Sequence, residues 1–206
     1  MTFRGWPVEA LEFFEGLEAE NSKTYWQRNK DVYETLVRAP MEELIAELEP
    51  KWGEGRIFRP YRDVRFSADK SPYKTHIAAL VGDGYVQLSA RGLAAGAGNW
   101  EMTSDQLEQY RKAVDEDRSG KRLVGIVAKA RAAGLDVTGH GELKTAPRGY
   151  PKDHPRIELL RYKGLVAWRD WPAGAWLGTR AAKDRVLEFI RLSEPLTKWL
   201  RANVKD

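Results

Sequence analysis

Hydrophobic and polar positions repeat with a helical period at both ends of the chain and with a two-residue period between them. Leu11, Phe14 and Leu17 recur at helical spacing with glutamates between them. They predict a helix from Pro7, a residue suited to a first helical position, to about Ala19. Asn21-Ser22 breaks it, and a second helix is predicted over 23–38. Pro40 opens a third, with Leu44, Ile45 and Leu48 on one face and an end near Trp52-Gly53. The period shortens beyond Arg56. Residues 77–81 and 85–89 flank Gly82-Asp83-Gly84, which predicts a hairpin. Arg91-Gly92 forms a turn into a Gly/Ala-rich strand that reaches Trp100. Its Gly96-Ala97-Gly98 suits close packing or a bulge. Thr103 and Gln106 have the spacing of a capping box, and helices follow to about Ala133 with a break near Ser119-Gly120. Short strands and proline-rich turns fill 135–170, with a short helix from Pro155 through Arg161 and a strand over Leu165–Trp168. Two helices, 179–192 and 194–203, close the chain.

Helices at both ends around a run of short strands predict an α+β fold, with a mainly antiparallel central sheet and the terminal helices packed on it. No βαβ alternation, internal repeat or flexible linker appears, so residues 1–206 are read as a single domain. Its parts are an N-terminal helical segment (1–53), a mixed core (54–170) and C-terminal helices (171–206). The uncharged stretches are too short for a membrane span, and the N-terminus has no apolar signal core. Cysteine is absent, which removes disulfide and thiolate chemistry and suits the cytoplasm.

Charge narrows the picture to one place. Residues 56–76 hold six basic groups against two acidic, a surplus equal to the +4 formal net charge of the chain. The basic groups are Arg56, Arg59, Arg62, Arg65, Lys70 and Lys74, the acids are Asp63 and Asp69, and Phe58, Tyr61, Phe66 and Tyr73 are interleaved. Residues 1–50 are net −6 and residues 77–206 net +6, a dipolar arrangement rather than the continuous basic face of a nucleic-acid binder. The residues around Pro60 favour an extended chain over 57–66. In such a strand Arg59, Tyr61, Asp63 and Arg65 share one face, and Phe58, Arg62, Val64 and Phe66 the other. That puts Arg62 among apolar neighbours, buried and charge-paired. A turn at Ser71-Pro72 returns Lys70, Tyr73 and Lys74 toward the same place.

Two readings of this segment stand level. In one, the guanidinium forks and lysines form a pocket for a phosphate or carboxylate, Asp63 orients an arginine or acts as a base, and Tyr73 donates or stacks. In the other, the arginines are internal staples paired with the acidic N-terminal helices. Trp26, Asn29, Lys30 and Tyr33 form one helical stripe that either adds Asn29 and Lys30 to the pocket or, the favoured alternative, makes core contacts with Asn29 on backbone and Lys30 in water. His76, His140 and His154 have no ligand-spaced neighbour, so no metal site is assigned, although a magnesium ion on Asp63 or Asp69 would leave little trace. His154, just ahead of the Pro155 helix, is a candidate acid–base group or a local cap, with the cap favoured. No dinucleotide fingerprint, phosphate loop or nucleophile elbow occurs.

The pattern R-x-x-R-D-x-R-F followed by D-K-x-x-Y, at Arg59, Arg62, Asp63, Arg65, Phe66, Asp69, Lys70 and Tyr73, resembles the signature of a bacterial family of conserved hypothetical proteins, domain of unknown function 2461. W-x-x-N-K-x-x-Y at Trp26, Asn29, Lys30 and Tyr33, and H-P-x-x-x-L-L-R at His154, Pro155, Leu159, Leu160 and Arg161, are similar to the family as well. The resemblance spans nearly the whole chain. It implies one domain in a bacterial cytoplasmic protein and brings no established activity or cofactor. The expectation is a small anionic ligand held by Arg59, Arg62, Arg65, Lys70, Tyr73, Lys74, Asn29 and Lys30, with Asp63, Tyr73 and His154 the candidates for any chemistry. The alternatives are a nucleic-acid-binding protein and an interaction protein whose Arg–Asp cluster is an internal ion-pair network.

Overall fold

The computed structural model describes residues 2–139 and 141–205; His140, one of the three histidines weighed above, lies outside the described residues. In chain order the elements are α1 (Val8–Ala19), α2 (Lys23–Val32), a π-helical stretch (Tyr33–Arg38), α3 (Ala39–Trp52), β1 (Gly55–Ile57), β2 (His76–Val81), β3 (Gly84–Ser89), β4 (Gly92–Asn99), α4 (Ser104–Asp115), α5 (Asp117–Ala132), β5 (Asp136–Thr138), α6 (Ile157–Arg161), β6 (Leu165–Pro172), a 3-10 turn (Ala175–Gly178) and α7 (Ala181–Asn203). The six strands form one antiparallel sheet in the order β1-β2-β3-β4-β6-β5. The fold is α+β. Among the described residues no helix is long and apolar enough to cross a membrane.

The chain gathers into two compact units, Met1–Ala95 with Asp170–Glu188, and Gly96–Arg169 with Phe189–Asp206. In the first, β2 and β3 pair from His76↔Ser89 to Val81↔Gly84 around Gly82-Asp83, the hairpin the alternation predicts. Ile77, Ala79, Val81, Val86 and Leu88 bury one face of this hairpin. Helix α3 packs on β1 and β2, and α1 on β3. Burying a Leu- or Ile-sized side chain there contributes about 1.5–3 kcal/mol. Trp6 and Phe3 meet edge to face at 5.0 Å in the same core, and the Trp6 indole N–H donates to the Val37 carbonyl at 3.1 Å.

Two differences from the sequence pattern lie in this unit. The second and third helices are one helical run, because the π stretch carries the chain past Pro40. The Ala39 N–H reaches back five residues to the Glu34 carbonyl, so the widened turn absorbs a proline that has no N–H to donate. Strand β1 stops at Ile57 and does not run to residue 66. Pro60 and Pro72 face each other's strand through carbonyls alone: Lys74 N–H donates to Pro60 O at 2.8 Å and Arg62 N–H to Pro72 O at 2.9 Å. A ladder needs donors on both sides, so pairing shrinks to one bridge between Tyr61 and Tyr73.

In the second unit Thr103 and Gln106 make the expected capping box on α4. The helix break falls at Glu116 rather than at Ser119-Gly120. Glu116 is extended, and its carboxylate accepts the backbone N–H groups of Arg118 at 2.9 Å and Ser119 at 2.5 Å, which makes it the N-cap of α5. Gly120 sits inside α5 because a Cβ there would run into the Val114 carbonyl and the Arg156 side chain. The short helix begins at Ile157, two residues later than Pro155 suggests. Helix α7 is continuous through Pro195. Buried Phe189, Leu196, Trp199 and Leu200 flank the proline, and their packing outweighs its missing hydrogen bond. The Tyr110 hydroxyl donates to the Leu159 carbonyl at 2.9 Å and the Trp199 indole to the Ser119 carbonyl at 3.1 Å, so the polar atoms of this aromatic core are satisfied.

Candidate functional site

The segment 58–75 leaves the sheet after β1 and returns to it at β2. Its base is an aromatic stack. Tyr73 lies flat on Trp26 at 4.3 Å and 5°, and Tyr61 leans on Tyr73 at 5.3 Å. Asn21 fixes that stack from the α1–α2 connection: its amide donates to the Tyr73 carbonyl at 3.0 Å and its oxygen accepts the Tyr73 N–H at 3.1 Å. At the far end the loop is held by its own polar groups. Asp63 accepts Arg65 through Nε at 2.9 Å and the terminal nitrogen at 2.7 Å. Asp69 accepts Arg62, the Ser71 N–H at 2.9 Å and the Ser71 hydroxyl at 2.6 Å. The Lys70 ammonium donates to the Val64 carbonyl at 3.0 Å. The Arg65 guanidinium holds Asp63 below the usual carboxylate range, and Arg62 with Ser71 pulls Asp69 far below it.

These contacts correct the expectation for Arg62. It is charge-paired, but 30 % of its side chain is exposed and its acid lies on the same loop. Phe66, its expected apolar neighbour, is 97 % exposed. Among the described residues no glutamate of α1, α2 or α3 pairs with an arginine of the segment.

Between the stack and the loop opens a cleft of about 500 Å³ within the first unit. Glu18 and Asn21 form one wall, Arg62, Asp69 and Ser71 another, and Tyr73 through His76 the floor. Three of the eight expected binding residues, Arg62, Tyr73 and Lys74, line it. Arg59 is exposed beside it, close enough to depress Lys74. Arg65 and Lys70 turn to the loop's own acceptors, Asn29 donates to the Tyr25 carbonyl at 2.9 Å, and Lys30 is exposed away from the lining. Of the candidates for chemistry, Asp63 lies outside the cleft and His154 in the other unit. His154 accepts the Arg156 N–H at Nδ1 (3.0 Å), so Nε2 carries the proton toward Asp115 at 3.0 Å. Both ring nitrogens are engaged, and the N-cap of α6 is Arg156 rather than His154.

The cleft's electrostatics centre on Lys74. Its ammonium is half-buried, 5.4 Å from the Phe58 ring, and no carboxylate among the described residues pairs with it. Burial, and then the Arg59 charge, lower its pKa. His76 is lowered by burial and then by Lys74. Tyr73 is raised, first by burial and then by Tyr61, and its hydroxyl meets no partner among the described residues. Among those residues no three histidine, aspartate or glutamate side chains gather as metal ligands.

Sequence reasoning missed Glu18, Asn21, Ser71 and Thr75 as lining residues and gave His76 no role. One signal was available for His76: it stands two positions after Lys74 at the start of a strand, so both side chains share a face. Asn21 offered none, because its partner is 52 residues away.

The sequence model of a family described as "Conserved hypothetical protein (DUF2461)" matches residues 9–199. The chain belongs to this family. The match takes in the cleft and both arms of its loop, so Lys74 and His76 lie within the DUF2461 region. No curated protein matches the chain. Among solved structures, a conserved hypothetical protein from Pyrococcus furiosus matches at 15 % identity, covering 82 % of this chain and 98 % of its own, with a TM-score of 0.38.

Proposed function

We propose that the cleft at Lys74 binds a small anionic ligand through a phosphate or carboxylate group. Lys74 carries the reading. A half-buried ammonium with cationic neighbours and no acid partner costs free energy in the empty protein, and an anion relieves that cost. Arg62, steered to the same cleft by Asp69, offers a planar fork. His76 adds charge when protonated, and the Tyr73 hydroxyl adds a donor. The ion-pair alternative is favoured for Arg65 and Asp63, whose mutual bonds shape the loop outside the cleft. It does not account for Lys74. The absence of cysteine accords with the cytoplasm of a bacterium as the setting.

The test is thermal denaturation across phosphate, sulfate, pyrophosphate and citrate at fixed ionic strength. A ligand at a hundredfold excess over its Kd stabilises by about 2.7 kcal/mol, a rise of several degrees in a chain of this size. Lys74→Ala should remove the anion-dependent rise, and Arg65→Ala should keep it. Equal rises in all three proteins, or none in the wild type, would overturn the proposal.

A further inference from the structure

The anion reading leaves one wall of the cleft unexplained. Glu18, in the last turn of α1, lines it with an exposed carboxylate. No ion pair or hydrogen bond engages that carboxylate among the described residues, so it lies beyond 4.0 Å of every described ammonium and guanidinium, Lys74 included. The same cleft thus holds a carboxylate and an ammonium that pair neither with each other nor with any other charge among the described residues. The end of α1 strengthens the negative pole. A helix C-terminus carries partial negative charge on its last carbonyls and favours cations, yet the last turn of α1 has no basic residue. Glu20 follows and is turned to the Ser22 hydroxyl at 2.7 Å, which leaves Glu18 as the free acid of that turn.

Resting on the anion-site reading, we propose that the ligand is zwitterionic, with its phosphate or carboxylate at Lys74, Arg62 and His76 and an ammonium group at Glu18. A single ligand with both charges answers both poles, whereas a simple anion at Lys74 leaves Glu18 facing it with like charge. A cavity of about 500 Å³ admits a small molecule that spans the gap.

The deciding comparison is between ethyl phosphate and 2-aminoethyl phosphate, which differ only in the terminal ammonium, titrated calorimetrically at pH 7 and 0.1 M salt into wild type and Glu18→Gln. The wild type should favour the aminated compound by about threefold to fivefold, the scale of a charge pair open to solvent. Glu18→Gln should bind the two equally, with ethyl phosphate held at least as tightly as by the wild type because the like charge facing it is gone. Because the Glu18 side chain is unpartnered, the variant's melting curve in buffer should match the wild type and so separate recognition from folding. Equal binding of the two compounds by wild type, or a preference that survives in Glu18→Gln, would overturn the zwitterion proposal and leave the anion site standing. Binding of neither compound would overturn both.

Discussion

Asn21 meets the Tyr73 backbone twice, as donor and as acceptor, and so sets the floor of the cleft from 52 positions away in the chain. Both bonds are partly buried, and deleting the amide strands a backbone N–H and a carbonyl together. Asn21→Ala should therefore lower stability by about 1–3 kcal/mol. It should also loosen the Trp26–Tyr73 stack, read as a change in tryptophan emission under native conditions. An unchanged unfolding midpoint and spectrum would show that the clamp does not hold the floor. This is the scale at which the sequence was least legible. The composition of residues 56–76 pointed to the segment that lines most of the cleft, because charges mixed with aromatics have to find partners. It could not distribute those charges. Whether Arg65 faces a ligand or Asp63 depends on the turn of a loop, and the two choices look alike in the pattern.

At the scale of elements, the strand signals were reliable where alternation and turn chemistry agreed. Residues 76–89 form the predicted hairpin because Gly82 supplies the positive φ (+53) that its first turn position requires. A Cβ at Gly82 would also run into the Trp52 carbonyl oxygen at the end of α3. Gly82→Ala should thus cost about 1–3 kcal/mol, seen as a lower urea midpoint at unchanged slope. A midpoint within error of wild type would mean that the turn relaxes freely. Boundaries misled in two directions. The helix start read at Pro40 is bridged by the π stretch, and the break read between 192 and 194 is overridden by packing around Pro195. Pro60 and Pro72, by contrast, withhold donors and break a strand that the alternation of 57–66 suggested. A local rule of this kind states a cost. Whether the cost is met depends on burial, which Phe189, Leu196 and Trp199 supply around Pro195 and nothing supplies around Phe66.

At the scale of the whole molecule, the charge imbalance between residues 1–50 and 77–206 bears on partners more than on fold. In 56–76 the two acids pair with Arg62 and Arg65, Lys70 turns to the Val64 carbonyl and Lys74 lies in the cleft. That leaves Arg56 and Arg59 exposed without an ion pair among the described residues, two charges rather than a continuous basic track. Binding to a mixed-sequence oligonucleotide should be weak at physiological salt. A protein contacting several phosphates would instead bind tightly and lose affinity steeply as salt rises, and that behaviour would return the nucleic-acid alternative to first place. The central claim, an anion site at Lys74, is tested most directly at His76, which shares the cleft with Lys74, Arg62, Asp69, Glu18 and Tyr73. Its resonance can be assigned by comparison with His76→Gln and followed by NMR against pH. In the free protein, burial and Lys74 disfavour the imidazolium, so His76 should titrate below its ordinary 6.5. Its folded pKa being depressed, this group costs stability as pH falls through 6.5 toward that lower value. An anion beside the ring favours the protonated form, so saturating sulfate, a dianion throughout this range, should move the titration upward and should bind more tightly at pH 6 than at pH 8. A titration that sulfate at fixed ionic strength leaves unmoved, with affinity flat across that range, would contradict the account.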